Sequence, residues 1–198
     1  MTNLDNEIKI LNVKYFNRRF IILTQLLVLG ALNVQPMSGY DIQLMLQENE
    51  AERWSGVQVG SIYHALKKLE KEEFIEIQKV ESVGHRQKVI YNITDLGKEQ
   101  LKTLTFKAIQ SSEVPYPLSL YAGLSFIENL PQDRAEKALN EQLVKLEKEL
   151  DLITQGLSVK REYLSGELLP LVSLVSENMI DIVQRQILFI KDVLALSK

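Results

Sequence analysis

The sequence contains no cysteine, which excludes disulfides, thiolate zinc sites and a cysteine nucleophile, and which fits a cytoplasmic protein. Only two histidines are present, His64 and His85, on what read as different elements, so neither a metal site nor a cofactor is expected. Long apolar runs are missing as well. The longest, Ile21 to Val34, is interrupted by Thr24, Gln25 and Asn33, and is too short and too polar to span a bilayer. Asp5 and Glu7 precede it, unlike the start of a signal peptide. No phosphate-binding loop, GxSxG or HExxH motif occurs, and the acids are spread without an evident pair, so an enzyme is not expected. An excess of positive charge is lacking too: the formal net charge is −3. Residues 1–110 carry 14 Lys and Arg against 13 acids, whereas residues 111–198 carry 9 against 13. The acidity therefore sits in the second half, and a nucleic-acid partner responds to a local basic face rather than to the total.

What is present is an ordinary folded composition, 45% apolar and 25% charged over 198 residues, without repeats or low-complexity runs. Two prolines within three residues, in Ser111-Ser112-Glu113-Val114-Pro115-Tyr116-Pro117, stop any helix. This places a linker at 111–117, between a domain at 20–110 and a helical domain at 118–198. Residues 1–19 form an N-terminal extension. Ile8, Leu11, Tyr15 and Phe16 have helical spacing there, and Lys9, Lys14, Arg18 and Arg19 are basic. It reads as an extra helix on a partner subunit, or as an arm touching DNA.

In the first domain, Phe20 to Leu32 reads as a buried helix and Asn33-Val34-Gln35-Pro36 as a turn. Ser38 can cap a second helix, with Asp41 near its start to suit the helix dipole. Tyr40, Leu44 and Met45 are expected to give that helix its apolar face, with its end near Asn49. A third helix, from about Gly60 to Glu72, carries Ile62, Leu66 and Leu69 on one stripe. Trp54 is expected to pack between the second and third helices. Phe74, Ile75, Ile77 and Val80, then Val89, Tyr91 and Ile93, alternate as two strands around a polar stretch with Gly84, which reads as a β-hairpin. Thr94 then caps a fourth helix carrying Leu96, Leu101 and Leu104. Three helices followed by a hairpin make a winged helix-turn-helix. The expected fold class is mainly α (α+β): an N-terminal winged helix-turn-helix with a β-hairpin wing, plus a C-terminal helical dimerisation domain.

The second domain is expected to be almost all helix. Ala135, Leu139, Leu143, Leu146, Leu150, Ile153, Leu157 and Leu164 form a heptad-like seam interrupted at Lys160, and Gly166 and Pro170 mark a break. Leu171 to Leu196 carries two apolar stripes. Val175, Met179, Ile182, Phe189 and Val193 make one; Val172, Ile180, Val183, Ile187, Ile190 and Leu194 make the other. A helix apolar on two faces must be covered twice, and the spare face implies a homodimer.

The motifs Leu26-Leu27-Val28-Leu29-Gly30-Ala31-Leu32 and Pro36-Met37-Ser38-Gly39-Tyr40-Asp41-Ile42 resemble the opening of PadR-family regulators. Trp54 followed by Gly60-Ser61-Ile62-Tyr63-His64-Ala65-Leu66-Lys67-Lys68-Leu69-Glu70, and Tyr91-Asn92-Ile93-Thr94-Asp95-Leu96-Gly97 after the wing, continue the resemblance over about residues 21–104. The C-terminal half is similar in architecture to the longer PadR subgroup. The resemblance implies a cytoplasmic homodimer, usually a repressor, that binds double-stranded DNA at a pseudo-palindromic operator. It implies release by a small hydrophobic or aromatic effector. Two residues depart from the family pattern. His64 stands where proline is common and is expected to change base preference. Glu73 stands where glycine is common and is expected to tighten the helix–strand junction, because Glu tolerates a left-handed conformation poorly.

The expected DNA-facing residues are Ser38, Tyr40, Gln58, Ser61, Tyr63, His64, Lys67, Lys68, His85, Arg86 and Lys88. Ser61, His64 and Lys68 share a face opposite the apolar stripe. Gln pairs with adenine, Ser and His serve base edges, and Lys neutralises phosphate. Tyr40 and Tyr63 can give hydroxyls to phosphates or act as core rings with wet tips. His85, Arg86 and Lys88 lie at the wing tip, where arginine suits a narrow minor groove. The competing reading is a winged-helix module that binds only protein. An effector pocket between the long helices, with Tyr116, Tyr121, Phe126 and Tyr163 as lining, is a further expectation.

Overall fold

A computed structural model describes residues 21–48, 51, 55–83, 86–112, 114, 116–163 and 169–196. The N-terminal extension, Asn49, Trp54 and His85 lie outside these residues. The chain forms two compact units, Met1–Val114 and Pro115–Lys198.

In the first unit, helix α1 (21–34) buries Val28, Leu29 and Leu32. A two-residue strand, β1 (Met37–Ser38), leads directly into α2 (Gly39–Glu48). The buried side of α2 is Gly39, Ile42 and Leu46, at steps of three and four, with Met45 half-buried. Tyr40 and Leu44, expected on that side, are instead exposed, because the short helix turns its Ile42–Leu46 row to the core. Helix α3 (Val59–Lys71) buries Ile62, Ala65, Leu66 and Leu69.

Strands β2 (Ile75–Val83) and β3 (Arg86–Ile93) pair antiparallel, from Ile75 opposite Ile93 to Val83 opposite Arg86, with a bulge between Ile77 and Lys79. The sheet has three strands rather than the hairpin's two, in the order β1-β3-β2, since Met37 and Ser38 pair with Tyr91 and Ile90. Ile75 is buried, whereas Ile77 and Val80 are exposed where the hairpin extends beyond the core. Helix α4 (Asp95–Gln110) buries Leu104, half-buries Leu101, and leaves Leu96 exposed.

The junction between α3 and β2 corrects the expectation for Glu73. Its φ is 60°, left-handed, as a glycine's would be. The Glu73 amide donates to the Glu70 carbonyl at 3.0 Å, and the Phe74 amide reaches back to the Leu69 carbonyl at 2.9 Å. These are the two bonds of a Schellman stop, with Phe74 packed against the cluster that contains Leu69. Two hydrogen bonds and that apolar contact together hold Glu in a conformation it disfavours. Across the junction, the Thr94 hydroxyl faces the Glu73 and Phe74 carbonyls at 2.8 and 3.1 Å and accepts from the Gly97 amide at 3.0 Å. Thr94 therefore caps α4 and fastens the end of α3 to it.

The second unit contains α5 (Leu118–Leu124), a 3-10 turn (Ile127–Asn129), α6 (Gln132–Tyr163) and α7 (Pro170–Leu196). Along the seam of α6, Ala135, Leu139, Ile153 and Leu157 are buried and Leu143, Leu146 and Leu150 half-buried. Helix α7 packs against α6 and buries Ile187 and Ile190 from its second stripe. Lys191 pairs with Glu147 at 3.5 Å. On the first stripe Val175 and Ile182 are exposed, while the ring of Phe189 meets Tyr121 of α5 edge-on at 5.9 Å. No helix among the described residues is long and apolar enough to cross a membrane.

Candidate nucleic-acid interface

Helix α3 divides along its length. Burial of Ile62, Ala65, Leu66 and Leu69 leaves Tyr63, His64 and Lys67 exposed and Ser61 and Lys68 half-exposed on the outer side. Gln58 is the N-cap, yet its side chain makes no cap bond, so its amide is not used by the helix. The Gln58 carbonyl accepts from the Ser61 amide at 2.9 Å, which starts the helix without it. Lys68 lies 3.9 Å from Glu72, a loose pair, and Lys67 has no ion-pair partner among the described residues.

The start of α2 sits tightly beside this helix. A Cβ at Gly39 would come within 2.7 Å of the Tyr63 ring and 3.0 Å of Leu66, so the absence of a side chain permits the approach. Tyr40 and Tyr63 both reach solvent. With Tyr91, Gln87 and Lys88 of β3 they line a groove of about 450 Å³ between the start of α2 and the wing. Burial raises the Tyr91 phenol above its usual value, helped by Glu70 and Tyr63, so it stays neutral.

Ser38, expected among the DNA-facing residues, is only 3% exposed and is engaged at the start of α2. Its hydroxyl donates to an Asp41 carboxylate oxygen at 2.8 Å, its amide donates to the same oxygen at 3.1 Å, and the Asp41 amide returns a bond to the hydroxyl at 3.2 Å. This is a capping box that fixes the first turn of α2. Lys88, expected at the DNA, brings its ammonium to both Asp41 oxygens, at 3.0 and 3.2 Å. Of the other wing residues, the Arg86 side chain and all of His85 lie outside the described residues. Sequence reasoning placed Asp41 at the start of α2 but not in the candidate interface. Asp41 was legible as an acid three positions after a capping serine, but its partner 47 positions away was not.

In the second unit a groove of about 460 Å³ opens between α5 and α6, lined by Leu118, Leu124, Ile127, Leu139 and Gln142 among others. Tyr116 and Tyr121 stack obliquely at 6.4 Å. Phe126, expected as a lining residue, points to solvent, and the Tyr163 side chain is outside the described residues.

Three helices, a hairpin wing and an outward polar face on α3 define a winged helix-turn-helix protein. Residues 28–103 match the family described as "Transcriptional regulator PadR-like family". A curated relative, the negative transcriptional regulator PadR of Bacillus subtilis (strain 168), is 30% identical over 126 residues, spanning 62% of this chain and 66% of that protein. The chain belongs to the PadR-like family of transcriptional regulators, which are not enzymes. The fold is also that of B. subtilis PadR solved with operator DNA, at TM-score 0.68 and 24% identity over 89% of this chain and 98% of that one. The same regulator solved with p-coumaric acid aligns at TM-score 0.66 and 24% identity, over 90% of this chain and 96% of that one.

Proposed function

We propose that this protein is a cytoplasmic, sequence-specific DNA-binding repressor that acts as a homodimer on a pseudo-palindromic operator. The observation that carries the reading is the outer side of α3, where Ser61, His64, Lys67 and Lys68 are free of the core and flanked by the wing. Gln58, Ser61 and His64 then read base edges in the major groove, and Lys67 and Lys68 neutralise phosphates. The hydroxyls of Tyr40 and Tyr63 serve the backbone, and His85 and Arg86 contact it at the wing. The name of the B. subtilis relative supports repression, and its complex with operator DNA supports the ligand. The exposed apolar side of α7, with Val175, Ile182 and Leu174, supports a second subunit.

Repression is relieved by a small aromatic or hydrophobic effector. The p-coumaric acid complex of the relative supports this class, and the apolar groove between α5 and α6 offers a place of suitable size for it.

Duplex binding followed by fluorescence anisotropy over a salt series tests the reading. Affinity falls with salt in proportion to the phosphates neutralised, about 0.9 per contact in log–log slope. Lys67→Ala weakens binding to all duplexes by a similar factor and lowers that slope by about one contact. A protein that binds duplex no better than an unstructured polyanion is instead an adaptor for other proteins.

A further inference from the structure

The Asp41–Lys88 pair ties the start of α2 to the wing, and Lys88 lines the groove between them on the side assigned to DNA. We infer that Asp41 is a specificity-determining residue: it withholds Lys88 from the phosphate backbone and so limits binding to DNA of any sequence. The inference rests on the DNA-binding reading above.

Three observations carry it. First, the Lys88 ammonium meets both carboxylate oxygens, at 3.0 and 3.2 Å, so its charge is largely answered within the protein. Second, the carboxylate is held by groups other than Lys88. The Ser38 hydroxyl and amide both donate to it, and Ser38 is itself buried. Burial pushes the Asp41 carboxyl up, but the Ser38 hydroxyl, the Lys88 ammonium and the Ser38 amide together hold it below its usual value, so it stays charged. A prearranged anion retains a lysine at less entropic cost than a mobile phosphate contact does. Third, both side chains are about one-third exposed, Lys88 at 37% and Asp41 at 35%, and Lys88 lines the groove together with Tyr40 and Tyr63. A phosphate entering there meets a neutralised pair, not a free cation.

The physical logic favours such a device in a sequence-reading regulator. Non-specific binding comes almost wholly from lysine and arginine on phosphates, and the genome supplies a large excess of wrong sites. Restraining one cation lowers that background, while base contacts from α3 are untouched.

The test measures salt slopes on a random-sequence duplex for the full-length protein and for Asp41→Asn, Lys88→Gln and the double variant. Asparagine keeps an acceptor for Ser38 and removes the charge. Asp41→Asn steepens the slope by about 0.9 and tightens binding to random duplex about threefold at low salt. In the Lys88→Gln background the same change leaves the slope unaltered, because the effect passes through Lys88. A general loss of repulsion would tighten both backgrounds alike and would overturn the inference, as would an unchanged slope in Asp41→Asn. If Asp41→Asn unfolds, Lys88→Gln alone decides. A slope equal to that of the parent supports a withheld lysine, and a slope lower by about 0.9 overturns it. Failure of the parent protein to bind duplex at all sinks the DNA-binding reading together with this inference. Parent binding with an unmoved Asp41→Asn slope removes only the inference.

Discussion

Replacing Gly97 by alanine puts two rules in direct opposition. Gly97 occupies the first turn of α4, where helix propensity alone favours alanine by about 0.5–1 kcal/mol. The packing demands the reverse. An added Cβ would lie 2.0 Å from the Phe74 carbonyl oxygen, 2.9 Å from its carbon and 2.8 Å from an Ile93 side-chain carbon. Relief requires a backbone shift of more than about an ångström, since ordinary contacts begin near 3.4–4 Å. That carbonyl accepts from the Thr94 amide at 3.1 Å, and the same residue's amide closes the end of α3 on Leu69. Overpacking costs about 1–3 kcal/mol, and each strained hydrogen bond adds about 1 kcal/mol. The net expectation is a loss of about 2–3 kcal/mol, or roughly 5–10 °C in midpoint. Gly30→Ala in α1 serves as the control. Its added Cβ meets no atom within 4 Å, so a gain of about 0.5–1 kcal/mol is expected. Urea unfolding followed through the sole tryptophan, Trp54, which belongs to the first unit, reads both. If Gly97→Ala matches Gly30→Ala, the close contact between α4 and the α3–β2 junction is refuted.

Glu73→Gly removes a left-handed penalty of about 1–2 kcal/mol and adds unfolded-chain freedom, so it raises stability by roughly 0.5–1 kcal/mol; a loss in urea unfolding would contradict the strained stop. His64→Ala relaxes sequence preference across an operator library while leaving affinity for random duplex nearly unchanged; identical preference rules out a base contact. A chain ending after residue 114 sediments as a monomer and binds duplex weakly, because the exposed apolar side of α7 is gone; a stable dimer would place the interface in the first unit.

What the sequence disclosed was local. The 3.6-residue period of Ile62, Leu66 and Leu69, the alternation of Val89, Tyr91 and Ile93, and the capping threonine at 94 each report on neighbours within a few residues, and each is found in place. Strand β1 escaped because two residues carry no period; only its register with Tyr91 and Ile90 reveals it. Glu73 misled because propensity was outweighed by the two hydrogen bonds and the Phe74 contact that close the helix. Leu44 fell on the exposed side because a short helix such as α2 reports its phase poorly when few apolar residues define it, and Leu96 is exposed at the second residue of α4. In the candidate interface, the exposed side of α3 was legible from periodicity. The Ser38 cap was legible too, as a serine three residues before an acid at a helix start. The diversion of Lys88 onto Asp41 was not, since it depends on how the wing folds back on α2.

Selection of bound duplexes from a random DNA library tests the central claim most directly, because it reads binding, symmetry and spacing together. Two copies of α3 in successive major grooves predict enrichment of a pseudo-palindrome with half-sites centred about 10 bp apart, one helical turn. Recovery of no enriched sequence, or of sites without two-fold symmetry, would contradict a dimeric DNA reader built on the outer side of α3.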